Sequence, residues 1–161
     1  MILNKQVGVF LNLVHNRFKQ HISNYFQENG FNITPEQFLI MDAIWNEGTM
    51  SQQQLAHIIL KDKNSVVKLI DGLEKKDLVQ RVANKVDRRQ NLIELTPHAW
   101  EIKEKLTQVA ITSIDQIING ITQDEMATFI KVLSKMARNM NEEIDLITLA
   151  KQGKFPSEID Y

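Results

Sequence analysis

The 161-residue chain contains no cysteine. That excludes disulfides, cysteine-ligated zinc and a thiol redox switch, and it suits a reducing cytoplasm. Three prolines and six glycines leave little room for long irregular segments, and no linker, repeat or low-complexity tract interrupts the chain. No run of 18 apolar residues exists to span a membrane. The opening stretch MILNKQVGVFLNLVHNRF is broken by Asn12 and His15 and lacks a small-residue cleavage site, so it reads as an amphipathic helix, not a secretion signal. Glycine-rich phosphate loops and G-x-S-x-G elbows are missing too, so no enzyme activity and no cofactor are expected. His15 and His21 lie six apart and do not share a helix face, and His57 and His98 are far away in sequence. No metal site is expected from them.

What the chain does have is a succession of amphipathic helices with explicit start and stop signals. From about Asn4 to Gln27, Val7, Phe10, Leu11, Val14, Phe18, Ile22 and Tyr25 recur at spacings of three and four, and Asn29-Gly30 ends the pattern. Thr34-Pro35-Glu36-Gln37 caps a second helix carrying Phe38, Met41, Ile44 and Trp45. Ser51-Gln52-Gln53-Gln54 is a further capping box, opening a short helix with Leu55, Ala56 and Ile59 on one face. Asp62 caps the next helix, in which Val66, Leu69, Ile70 and Leu73 form one buried stripe. Asn64, Lys68, Asp71 and Lys75 fall on another side and leave a polar face available.

Two short alternating runs follow, Leu78 to Val82 and Leu92 to Leu95, joined by ANKVDRRQ. Thr96-Pro97 then begins a helix through Trp100, Leu106, Val109, Ile114, Ile117 and Ile118, which Asn119-Gly120 stops. A last capping box, Thr122 to Glu125, starts a helix whose three-four spacing runs from Met126 through Phe129, Met136 and Met140 to Ile147. The Met-rich stripe there reads as packing surface and not as a cofactor box. The tail KFPSEIDY has no periodicity.

The fold class is therefore mainly α with a small β-hairpin wing: a winged helix-turn-helix plus a helical dimerisation region. The winged unit covers 34–96, and the discontinuous dimerisation region covers 1–33 and 97–161. A three-helix core cannot bury the first and last helices along their full lengths, so two copies are expected to pair about a two-fold axis. Charge supports a nucleic-acid partner. From Lys61 to Arg89 there are nine Lys/Arg and five Asp/Glu, a local net of +4 in a chain that nets −1. A helix fits the major groove, where bases differ in their donors and acceptors, and an arginine-tipped hairpin fits the electronegative minor groove. The alternative is a winged-helix protein-interaction module without DNA binding, favoured by Asp71 and Glu74 on the would-be reading helix.

The segments TPEQFLIMDAIWNEG, SQQQLAHII, DKNSVVKLIDGLEKKDLVQR and VDRRQNLIELT, in that order, resemble the MarR-type (multiple antibiotic resistance regulator) family. The matches fall at Gln37-Phe38, Gln52, Leu55-Ala56, Asp62-Lys63, Ser65-Val66, Leu73 to Lys76, Leu78-Val79, Asp87, Arg89 and Leu95-Thr96. The resemblance implies a homodimeric, ligand-responsive transcription factor, most often a repressor, on a palindromic duplex site. Lys63, Asn64, Ser65 and Lys68 would read or flank bases. Arg88 and Arg89 would enter the minor groove, and Ser51, Gln52 and Lys75 would hold phosphates. Asp87 would be structural in the wing. A small aromatic or anionic effector is expected in a pocket lined by His15, Phe18, Phe38, Met41 and Trp45. Three departures stand out: Asp77 where the family has glycine, Gly72 where it has arginine, and Asn64 and Val67 at Ser/Thr positions.

Overall fold

The computed structural model describes residues 2–140 apart from Arg88. The expected continuation of the last helix through Ile144 and Ile147, the tail and the tip residue Arg88 lie outside the described residues. Helix α1 spans Ile2–Glu28, α2 Pro35–Glu47, α3 Gln52–Ile58, α4 Lys63–Glu74, α5 Pro97–Ile118 and α6 Gln123–Asn139. Strands β1 (Met50–Ser51), β2 (Val79–Ala83) and β3 (Asn91–Leu95) form one antiparallel sheet in the order β1-β3-β2.

The helices begin where side chains can satisfy their free amides. Thr34, Ser51 and Thr122 each accept from the amide three residues on, while Gln37, Gln54 and Glu125 return a bond to the cap backbone. Asp62 and Thr96 cap α4 and α5 in the simpler one-way form. The helix ends are as explicit. Phe31 N–H donates to Phe26 O and Gly30 N–H to Gln27 O, with Gly30 at φ +85°. The same pair of bonds closes α4, from Leu78 to Leu73 and from Asp77 to Glu74, with Asp77 left-handed at φ +55°. Aspartate tolerates that region better than most residues, which is how it stands in for glycine there.

The core sits in the winged unit. Ile40, Met41 and Ile44 of α2, Leu55 of α3, Val66, Ile70 and Leu73 of α4, and Ile93 of β3 are essentially solvent-free. Leu69, expected in the same stripe, is only half-buried at its edge. Phe26 and Ile22 of α1 and Leu106 of α5 extend this core into the flanking helices. Burial continues along α5 through Val109, Ala110 and Ser113, but residues 4–17 of α1 are all exposed, and α6 buries only Ser134 among its described residues. Val9, Phe10, Leu13 and Val14 of α1, Ile111 and Ile114 of α5, and Phe129 and Val132 of α6 present apolar side chains to solvent.

Candidate nucleic-acid interface

Helix α4 is held at its N-terminus by Asp62, whose carboxylate accepts from Ser65 N (3.0 Å) and Ser65 Oγ (2.5 Å). These bonds, the hydroxyl's first, hold the Asp62 carboxyl below the usual carboxylate range. The cap leaves Lys63, Asn64 and Lys68 exposed on the first two turns, with Lys75 exposed just past the helix end. Ser65 is half-buried and its hydroxyl proton is committed to Asp62. Ser51 is 7% exposed and engaged in its capping box with Gln54, and Gln52 lies half-buried beside it with Oε1 shielded from solvent.

The wing is the β2–β3 hairpin, paired in register from Val79 opposite Leu95 to Ala83 opposite Asn91. Its tip is built by two side chains that act as backbone acceptors. Asn84 Oδ1 accepts from Val86 N (2.9 Å) and Asp87 N (3.2 Å), and Asp87 Oδ1 accepts from Arg89 N (3.0 Å). Arg89 is exposed at this tip. A cleft of about 670 Å³ separates the base of the wing from α3, lined by Gln53, His57, Asn84 and Gln90 among others. No sequence pattern announces it, because the lining comes from segments more than 25 residues apart.

Two features change the electrostatic picture drawn from sequence. Arg81, counted there among the basic residues, reaches from β2 to both Asp71 and Glu74 of α4. The acids on α4 are thus partly compensated from within, and Arg81 is a strut between helix and wing. Lys76 is likewise engaged, its Nζ donating to Gln37 Oε1 at 3.0 Å, and burial pulls its ammonium below the ordinary lysine value. Within 61–89, the exposed cations among the described residues are Lys61, Lys63, Lys68, Lys75, Lys85 and Arg89.

The residues expected to line an effector pocket separate by depth. Met41 is wholly buried and Trp45 is 6% exposed, while Phe38 meets Trp45 edge-on and Phe26 at a tilt. Phe18 packs at the core margin and His15, one turn earlier, is exposed. Sequence reasoning did not anticipate the state of two polar atoms, nor Lys103. Trp45 Nε1 and His21 Nε2 are buried without a hydrogen-bond partner among the described residues. Lys103 of α5 sits over the Trp45 and Trp100 rings, at 6.0 and 5.3 Å from their centroids.

Helices α2, α3 and α4, a short strand and a two-stranded wing define a winged helix-turn-helix protein. Residues 33–90 match the sequence model of the MarR family. The HTH-type transcriptional regulator MhqR of Bacillus subtilis is 22% identical over 134 residues, covering 83% of this chain and 91% of that protein. The fold is also that of a mutant MarR from E. coli solved in complex with operator DNA (TM-score 0.73, 24% identity, 81% of this chain and 92% of that one). BpsR of Bordetella bronchiseptica, whose DNA binding is regulated by 6-hydroxynicotinic acid, aligns equally well (TM-score 0.73, 22% identity, 87% of this chain and 95% of that one).

Proposed function

We propose that the protein is a homodimeric, DNA-binding transcriptional regulator, acting as a ligand-responsive repressor on a palindromic duplex site. The observation that carries this reading is the joint placement of exposed Lys63, Asn64 and Lys68 on a capped helix and exposed Arg89 on a built hairpin tip. Such a helix suits the major groove and such a tip the adjacent minor groove. Ser65, Arg88, Ser51, Gln52 and Lys75 complete the proposed interface, the last three toward phosphates. The MarR structure with operator DNA supports the same use of the fold.

The apolar faces of α1, α5 and α6, left uncovered in one protomer, support pairing of two copies. Two reading helices about a two-fold axis then meet major grooves about one helical turn apart, which calls for a palindromic site. The effector would enter where Phe18, Phe38 and Trp45 adjoin, between dimer helices and winged unit. Unpartnered Trp45 Nε1 and His21 Nε2, with the Lys103 ammonium nearby, favour an aromatic acid, an acceptor-rich class to which the 6-hydroxynicotinic acid of BpsR also belongs. Ligand that binds better to an altered spacing of the two reading helices would shift the population away from the DNA-competent form. Against the protein-interaction alternative, Asp71 and Glu74 are bonded to Arg81; the arginine absent at Gly72 still favours it.

Selection of bound duplexes from a random pool tests the reading directly. A two-fold symmetric consensus holding two protomers is expected. Arg89→Ala should weaken that duplex by about 1–3 kcal/mol. A consensus without symmetry, or one protomer per site at saturation, would overturn the proposal.

A further inference from the structure

Gln37 lies at the third position of α2 yet reaches across to α4. It is 5% exposed, and its Oε1 accepts from both Thr34 N (3.1 Å) and Lys76 Nζ (3.0 Å). Its Nε2 donates at 3.4 Å to Leu69 O, a main-chain carbonyl midway along α4. The amide occupies space that a side chain at residue 72 would crowd: a Cβ there would stand 2.6 Å from Nε2. Ordinary carbon–nitrogen contact needs roughly 3.5 Å. Leu69, Gly72 and Lys76 follow one another at i, i+3 and i+7, along the flank of α4 between its core stripe and its exposed polar face.

We propose that Gln37, seated in the space left by Gly72, is a positioning residue for DNA reading: it fixes the offset of α4 from α2 and hence the depth at which Lys63, Asn64 and Lys68 meet the groove. The inference rests on the DNA-binding reading above. The amide cannot swing aside freely, since its oxygen is held by the α2 cap and by Lys76. Base-edge hydrogen bonds are lost over a few tenths of an ångström, so an offset of most of an ångström on this flank reaches the reading face. Gly72 then has a geometric reason for being here.

Two variants disturb the latch in different ways. Gly72→Ala inserts the methyl group while supplying a better helix former. Gln37→Glu keeps acceptors for Thr34 N and Lys76 Nζ but removes the donor to Leu69 O. Each is measured, as full-length protein, against the consensus duplex selected by the wild type, over a series of salt concentrations, with folding followed by circular dichroism. The expected result is about a tenfold weaker affinity for each, a salt dependence unchanged from wild type because no phosphate contact is removed, and no further loss in the double variant. A merely structural role would lower the melting temperature and leave the folded protein's affinity intact. Gln37→Glu carries the test alone if Gly72→Ala does not fold. Wild-type affinity in the folded variants, or losses that add in the double variant, overturns the latch while the DNA reading stands. A wild type that selects no duplex overturns both.

Discussion

Removing Arg81 separates two descriptions of the basic surface. In sequence it counts toward the +4 of residues 61–89; in the structure it is only 22% exposed and spans Asp71 and Glu74. Arg81→Met keeps most of the stem and deletes the guanidinium. Surface ion pairs contribute about 0.2–1 kcal/mol each. Two sharing one partly buried arginine place the loss near the upper end, about 1–2 kcal/mol, or roughly 2–8 °C in melting temperature for a chain of this size. Duplex affinity should also fall, because two carboxylates on the reading helix become unpaired at a cost of up to about 1 kcal/mol. The salt dependence is the deciding measurement. A phosphate contact contributes a slope of about 0.9 in the log–log plot, so a strut predicts the wild-type slope with weaker affinity throughout. Combining Arg81→Met with Asp71→Asn and Glu74→Gln should recover much of the affinity, which a lost phosphate contact would not allow. A melting temperature within a degree of wild type together with a slope reduced by one refutes the reasoning.

Two further outcomes are expected. Phe129 is 53% exposed on α6, so Phe129→Glu should leave protomer folding intact yet bury a charge wherever two copies meet; sedimentation should report monomers and duplex affinity should collapse, and an unchanged dimer would place the seam elsewhere. The start of α4 should be acid-sensitive. Asp62 has its folded-state carboxyl below the ordinary value because Ser65 bonds the charged form, so the cap's contribution is complete above the unfolded pKa of about 3.9 and is lost as pH falls through the lower, folded value. Amide chemical shifts at Ser65 and Val66 should follow that titration, and Asp62→Asn should abolish it; the same titration persisting in Asp62→Asn would assign it to another group.

How much of this was legible in the chain divides by range. The starts of α2 to α6 were readable because a cap is a local device: Thr34, Ser51, Asp62, Thr96 and Thr122 each act within three residues. The αL position at Asp77 was readable for another reason: it stands where the resembling family has glycine. Leu60 was not. It closes α3 at φ +53°, with Lys61 N–H donating to Ala56 O, although an exposed leucine is a poor occupant of that region. Strand β1 escaped because two residues carry no alternation; it exists only because β3 offers Ile93 and Leu92 opposite Met50 and Ser51. The α1 stripe was periodic over its whole length, but periodicity alone does not distinguish its two halves. Ile22 and Phe26 bury against the protomer's own core, while Val7 to Val14 do not.

The features that set the interface's geometry share a common reason for being silent in sequence. Arg81 meets Asp71 and Glu74 only after β2 returns past the end of α4, and Gln37 meets Leu69 and Lys76 across more than thirty residues. Both place a polar group from outside against α4, one from the wing and one from α2. Helix α4 is therefore braced on two sides by groups that belong to other elements. On the proposed reading, its lysines and asparagine would decide what is contacted, while Arg81 and Gln37 would decide where those side chains stand. Sequence resemblance points to the first set and is blind to the second. Changes in DNA preference among chains with the same exposed residues should accordingly trace to positions such as 37, 72 and 81.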